Sequence, residues 1–317
     1  MTQTLALVFP GQGSQHVGML RELAERYSVV RTTFEEAADA LGYNLWQVVQ
    51  EGPDEALNAT ACTQPALLTS SVAIWRVWQE LEGPRPVAMA GHSLGEYSAL
   101  VCAGALSFAE GVRLVKLRGD AMQSAVPAGE GAMAAILGLD DAAVELACRD
   151  AAQGKVVAPV NYNAPGQIVI AGAKAAVERA IVCCQEAGAK RAIPLPVSVP
   201  SHCALMEPAA EQLAEAMEAV EIKSPRYKVF QNVDARMPED VRTLRTRLVE
   251  QLYRPVRWTD CVEALLDQGA QIFVECGPGK VLTGLNKRIA RNAKGLAAND
   301  PDSLAAALEL AHDNTNQ

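Results

Sequence analysis

Residues 86–100, PVAMAGHSLGEYSAL, run from an apolar strand pattern through Gly91-His92-Ser93-Leu94-Gly95 into a helical pattern. In that context a GxSxG match reads as a nucleophile elbow, a strand and helix joined by a turn so sharp that its central serine is thrust outward. The glycines have a mechanical task, because side chains at those positions would collide with the strand or the helix. The turn therefore singles out Ser93 as a nucleophile. It also sets the Leu94 N–H at the start of a helix, where no partner within the helix is available and an oxyanion beside Ser93 could be received.

A nucleophilic serine needs a base, and the chain has four histidines, His16, His92, His202 and His312. His312 falls in the polar tail AHDNTNQ and is expected to fray. His92, one residue before the serine, is expected to project to the other side of the elbow. His16 follows the Gly-rich turn PGQGSQ and could line a pocket, but it precedes the serine, whereas in hydrolase-like chains the base follows it. His202 lies in PLPVSVPSHCALMEPAAEQLAEAM, where a proline-bounded extended run meets a helical pattern, and it is the expected general base. Spacing does not pick a third member among Glu207, Asp234, Asp260 and Glu275, and a backbone carbonyl can also orient an imidazole.

In the helical stretch 108–123, Leu114, Val115, Ala121 and Met122 stand three and four residues from Arg118, so its guanidinium rises from an apolar face and calls for an anion. Arg113 and Lys116 fall on the polar side. Taken alone, Arg118 could serve a structural ion pair as well as a ligand; the neighbouring elbow and GQG turn favour the ligand.

The start FPGQGSQ, the elbow GHSLGEYSALVCAG, RLVKLRG, PVNYNAPGQIVIAG, PLPVSVPSHCALM, QLYRPVRW and the closing ECGPGKVLTGLNKR occur in one order from about Leu5 to Leu310. Together they resemble the bacterial malonyl-CoA:acyl carrier protein transacylases of fatty acid synthesis. The resemblance implies that Ser93 carries a malonyl ester and His202 is the base. It further implies that Gln12 and Leu94 supply oxyanion-hole N–H groups, that Arg118 clamps the malonyl carboxylate, and that the main-chain carbonyl of Gln251 orients His202, so no acidic triad member is required. Asn161 and Asn163 match pocket residues of the family. Cys276 departs from the aliphatic residue usual before GPG, without consequence for the chemistry.

On that resemblance malonyl-CoA and acyl carrier protein are the expected partners, malonyl passing through a serine ester by ping-pong kinetics with neither metal nor cofactor. Two readings share the chemistry, a serine thioesterase and an acyltransferase of a polyketide pathway; a silent carrier-binding fold would tolerate loss of Ser93 or His202, yet both are present. Carrier proteins are generally acidic and this chain has a net charge of −9, so local clusters must override the global sign. Lys190 with Arg191, and Lys287 with Arg288, Arg291 and Lys294, are the candidates for docking. The acidic balance gives no reason to expect a nucleic-acid partner.

The eight cysteines, Cys62, Cys102, Cys148, Cys183, Cys184, Cys203, Cys261 and Cys276, form no CxxC pair, and with so few histidines they suggest reduced thiols rather than zinc. The start MTQTLALVFPG lacks a basic n-region, and no stretch approaches the ~20 apolar residues of a membrane span. A soluble cytoplasmic monomer is expected.

At 317 residues the chain is long for one core. Leu5–Phe9, Pro86–Ala90 and Ile272–Glu275 are apolar runs ending in Gly-rich turns, the mark of buried parallel strands. The expected fold is α/β, a hydrolase-like core with a mostly parallel, helix-flanked sheet over 1–128 and 198–317. Between them, 129–197 reads βαββαβ, with a hairpin at Asn163-Ala164-Pro165-Gly166, as an inserted ferredoxin-like subdomain.

Overall fold

The computed structural model describes residues 4–197 and 199–315, so the expected boundary at Ser198 lies outside the described residues. Among the described residues nine strands form two sheets: β1 (Leu5–Phe9), β2 (Ala88–Gly91), β3 (Gly131–Leu137), β4 (Val157–Ala164), β5 (Gln167–Ala173), β6 (Arg191–Pro194), β7 (Lys228–Phe230), β8 (Ile272–Glu275) and β9 (Lys294–Ala297). The first sheet has the order β7-β2-β1-β8-β9 and every pairing in it is parallel.

Strand β1 explains why that sheet is the centre of the molecule. Its five residues are all buried, because side chains alternate between two covered faces. Leu5, Leu7 and Phe9 enter the larger core, which includes Leu67, Ile74 and Trp78 of the helix Thr60–Glu80. Ala6 and Val8 enter a second core with Trp258 and Leu265. The register sets Val8 opposite both Ala90 and Glu275, so the chain leaves β1, β2 and β8 at one edge, which is where ligands gather in parallel sheets.

The second sheet is antiparallel with the order β4-β5-β3-β6. The helices Asp141–Ala152 and Lys174–Glu186 cover one face through Val144, Cys148, Val177 and Cys184 against Ala134, Ile136, Ile168 and Ile170. This is the βαββαβ order expected. The opposite face packs Met133, Val169 and Ala171 against Cys203, immediately after His202. Strand β4 is also laced to the main sheet's side of the molecule, since Tyr162 N–H donates to the Val256 carbonyl (2.9 Å) and Val256 N–H to the Val160 carbonyl (2.8 Å).

Two details differ from expectation. Strands β7 and β9, at the two edges of the parallel sheet, had no counterpart in the sequence reading. The helix Pro301–Thr315 carries His312 within regular structure rather than in a frayed tail. No helix among the described residues is long and apolar enough to cross a membrane.

Candidate active site

The elbow forms as the sequence pattern requires. Strand β2 ends at Gly91, Ser93 takes φ 52° and ψ −112°, and the helix Leu94–Cys102 begins at the next residue. A Cβ on Gly91 would lie 1.9 Å from the carbonyl of Gly95, and one on Gly95 would lie 2.0 Å from the Phe9 carbonyl oxygen. Only hydrogen fits at either place. A positive φ at a serine costs on the order of 1–3 kcal/mol, and Asn232 holds the turn against it. Its Oδ1 accepts from Ser93 N–H (2.7 Å) and its Nδ2 donates to the Gly91 carbonyl (2.7 Å).

His202 Nε2 lies 2.7 Å from Ser93 Oγ, and its Nδ1 lies 2.6 Å from the main-chain carbonyl of Gln251. A carbonyl can only accept, so Nδ1 carries the proton and Nε2 presents a lone pair to the serine hydroxyl. His202 is itself held at φ 65°, anchored by its N–H on the Leu252 carbonyl (2.9 Å). Burial, reinforced by the positive charge of Arg118, pushes its pKa down to about 3 against the pull of the Gln251 carbonyl, so the ring is neutral. The four acids left open by spacing stand elsewhere. Glu275 caps the helix Val281–Ile289 through the N–H groups of Leu282 and Thr283, Asp234 pairs with Arg247, Asp260 pairs with Arg257, and Glu207 opens the exposed start of the helix Glu207–Glu218.

Arg118 is wholly buried on the helix Phe108–Ala125. Its Nη1 donates to Gln64 Oε1 (2.8 Å) and its Nη2 to Gln251 Oε1 (3.0 Å), with Ser93 Oγ 3.4 Å away. Its plane stands over the Tyr97 ring, 5.4 Å from the centroid. The Nε atom has no acceptor, and among the described residues no carboxylate pairs with the guanidinium. The expectation of a residue poised for an anion thus meets a cation whose protein partners are two neutral amides and a hydroxyl.

A cleft of about 210 Å³ opens over Ser93 and His202, lined also by Gln12, Asn161, Met133 and the Leu195–Val197 segment. Gln12 lines the same cleft as Ser93, and Leu94 is the first residue of the elbow helix. The Asn161 Oδ1 atom is buried without a partner. Asn163 is not on the cleft wall; its Oδ1 lies 2.7 Å from His92 Nε2. His92 is one of the residues that line the cleft, and its ring is held between Asn163 and Trp258, the latter at a centroid distance of 5.6 Å. Arg118 is not among the residues that line the cleft, and its Nη2 lies 3.4 Å from the Ser93 hydroxyl that does. Among the described residues there is no group of three or more His, Cys, Asp or Glu suited to a metal ion.

The two basic clusters lie outside the cleft. Lys190 and Arg191 are exposed at the start of β6, which leads into the Leu195–Val197 wall. Lys287 and Arg288 are exposed in the last turn of the helix Val281–Ile289, where Arg288 bonds Gln167 and the Pro165 carbonyl of the β4–β5 hairpin. Exposed His16 does not line the cleft.

The sequence reading missed Asn232, Glu96 and Gln64. One signal was available for Glu96, a carboxylate in the otherwise apolar helix LGEYSALVC. Asn232 and Gln64 had none, since each meets the site across tens of residues of chain.

Residues 6–308 match the acyl transferase domain model. The chain is 59% identical over 308 residues to the malonyl CoA-acyl carrier protein transacylase of Salmonella typhimurium, covering 97% of this chain and 99% of that one. It is 46% identical to the enzyme of the same name from Bacillus subtilis, covering 98% and 99%. Among solved structures, an acyl carrier protein S-malonyltransferase from Vibrio cholerae superposes with a TM-score of 0.94 at 61% identity, covering 96% of this chain and 99% of that one. A malonyl-transacylase solved in complex with its type II PKS acyl-carrier protein superposes with a TM-score of 0.95 at 58% identity, with the same coverage. With the family model spanning nearly the whole chain and these identities holding over nearly full length, the chain belongs to the acyl transferase family, with malonyl CoA-acyl carrier protein transacylases as its relatives.

Proposed function

We propose that this chain transfers the malonyl group of malonyl-CoA to the phosphopantetheine thiol of an acyl carrier protein through an ester on Ser93. The observation that carries the reading is Arg118, a wholly buried cation 3.4 Å from the nucleophile and paired with no carboxylate. Burying a charge is costly unless it is paired, and a guanidinium offers two parallel N–H bonds to a carboxylate. An acyl group that brings its own carboxylate supplies the missing partner by taking the place of the Arg118–Ser93 contact.

His202 takes the proton of Ser93 Oγ as the oxygen attacks the thioester carbon. The main-chain N–H groups of Gln12 and Leu94 receive the oxyanion, and the C–S bond breaks as His202 returns the proton to the departing thiol. Pairing with the acyl carboxylate withdraws the Arg118 charge that holds His202 down, so the base strengthens once the correct group is bound. The carrier thiol then enters, gives its proton to His202, attacks the ester, and releases Ser93 as the proton returns to Oγ. No step calls on a resident cofactor.

Residues 129–197 act in this scheme as a unit inserted into a core of 1–128 and 198–317, closing the cleft opposite the elbow. Ser93, Arg118, His202 and Gln251 come from one chain, which supports action as a monomer. The eight free thiols fit the reducing cytoplasm. Likeness to a transacylase bound to a polyketide carrier keeps a polyketide carrier as a second acceptor to be tried.

Intact-protein mass spectrometry after brief exposure to malonyl-CoA tests the reading. A malonyl adduct that persists in water, is lost on addition of carrier protein, and is absent in Ser93→Ala is expected. Rapid release of free malonate without a carrier would make the chain a hydrolase instead, and the two carriers compared side by side settle which acceptor it serves.

A further inference from the structure

Glu96 is a wholly buried carboxylate that the reaction scheme leaves unused. It stands three residues after the nucleophile, in the first turn of the elbow helix. Three N–H groups point at it: Gln231 Nε2 reaches Oε1 at 3.0 Å, while the Asn232 main-chain N–H (2.9 Å) and Gln251 Nε2 (2.7 Å) reach Oε2. All three are hydrogen-bond donors, which favour the ionised form. Burial outweighs them and the Arg118 charge and leaves the carboxyl raised to about 7, so the anion is the form above neutrality.

The nearest cation, Arg118, makes no direct bond to this anion. One side-chain amide stands between them. Gln251 gives its Nε2 to Glu96, to the Ser93 carbonyl (3.0 Å) and to Asn232 Oδ1 (3.3 Å), and turns its Oε1 to Arg118 Nη2 (3.0 Å). An amide has a donor end and an acceptor end, and the end chosen by one neighbour dictates what the other neighbour meets. Above pH 7 the ionised Glu96 accepts and never donates, and it is the charged one among the acceptors that hold the Gln251 amide with its oxygen toward Arg118. A neutral amide at position 96 could donate instead. That would remove the charged acceptor and leave the Ser93 carbonyl and Asn232 Oδ1 to hold the amide, so its oxygen would be kept less firmly on the guanidinium.

We propose that Glu96 is a positioning residue that sets the preference for a charged acyl group, acting through the orientation of the Gln251 amide on Arg118. The proposal rests on the reading of Arg118 as the clamp for the acyl carboxylate. Glu96 touches no substrate and no reacting atom. Its effect therefore falls on acyl groups that need the clamp, such as malonyl, and spares those that do not, such as acetyl. Loss of a merely structural carboxylate would lower both acylations together.

The experiment is single-turnover acylation of Ser93 by malonyl-CoA and by acetyl-CoA, read as the malonyl-to-acetyl ratio of kcat/KM so that the folded fraction cancels. The wild type, Glu96→Gln, Glu96→Asp, Arg118→Ala and the double variant Glu96→Gln/Arg118→Ala are compared. A fall of tenfold or more in the ratio is expected for Glu96→Gln. A smaller fall is expected for Glu96→Asp, which keeps the charge on a shorter stem and supplies a ratio even if the neutral variant does not fold. Adding Glu96→Gln to Arg118→Ala should leave the ratio where Arg118→Ala alone sets it, because both changes act on one group. A ratio within twofold of wild type in every folded Glu96 variant, while Arg118→Ala abolishes the preference, overturns the proposal alone. No preference for malonyl in the wild type, or an unchanged one in Arg118→Ala, overturns the clamp reading beneath it.

Discussion

Arg118 Nη2 lies 3.4 Å from Ser93 Oγ, so a group attached to that oxygen would start within reach of the guanidinium. The Lys variant tests what kind of partner the acyl group requires. Lysine keeps the charge but loses the planar fork that bonds Gln64 and Gln251 at once. Arg118→Lys is expected to keep a malonyl preference intermediate between wild type and Arg118→Ala, with acetyl transfer spared in both. A full wild-type ratio in the lysine variant, measured by acylation of Ser93, would mean that point charge suffices and the fork has no role.

The same cation acts on His202, the base of the proposed reaction. Burial and Arg118 together push His202 down to about 3, and a general base works only while neutral. For acetyl-CoA, which does not neutralise Arg118, the acidic limb of kcat/KM should lie well below 6.5. Removing the guanidinium withdraws one of the two causes, so in Arg118→Ala the limb should move up, remaining below 6.5 because burial persists. A pH profile whose limb does not move between the two enzymes would show that the charge is not felt at His202.

Glu96 and His202 shift in opposite directions, and their effects on stability oppose each other. The folded state holds a proton on Glu96 up to about 7 against an ordinary 4.5, so this group adds stability as pH falls from 7 to 4.5. The folded state refuses a proton on His202 until about 3 against an ordinary 6.5, so that group removes stability as pH falls below 6.5. Each slope is on the order of 1 kcal/mol per pH unit in its window, and between 4.5 and 6.5 they largely cancel. Relative to wild type, Glu96→Gln should therefore lose stability more steeply as the solution is acidified, and His202→Ala less steeply. Urea midpoints at pH 7, 6 and 5 read both slopes; parallel curves for all three proteins would sink the assignment.

The core strands were legible because each is a short apolar run closed by a Gly-rich turn, and β1, β2 and β8 sit together where both faces are covered. Strands β7 and β9 were not, because edge strands need little hydrophobic pattern: KVF is three residues long and KGLA opens on exposed Lys294 and Gly295. Ser93 and His202 were legible through local turn chemistry and chain order. The Glu96–Gln251–Arg118 connection was not, since no spacing rule links an amide and a carboxylate 155 residues apart.

The two basic clusters proposed for carrier docking differ in their surroundings. Lys190 and Arg191 stand at the start of β6, and the chain passes directly from that edge strand into Leu195–Val197, a wall of the cleft over Ser93. An acidic partner drawn to them would have its prosthetic arm close to the opening. Arg288 is committed to bracing the β4–β5 hairpin, so its loss would disturb packing as well as charge, and Lys287 is the cleaner probe of that face. Positive patches act mainly on association and are screened within about 10 Å at 0.1 M salt. Reversing Lys190 and Arg191 to Glu should raise KM for the carrier several-fold at low ionic strength, leave kcat/KM for malonyl-CoA acylation unchanged, and converge on wild type as salt is added. Lys287→Glu should have the smaller effect. If Lys287→Glu alone weakens the carrier and the Lys190/Arg191 reversal does not, the carrier approaches across the helix Val281–Ile289, and β6 serves only to shape the cleft.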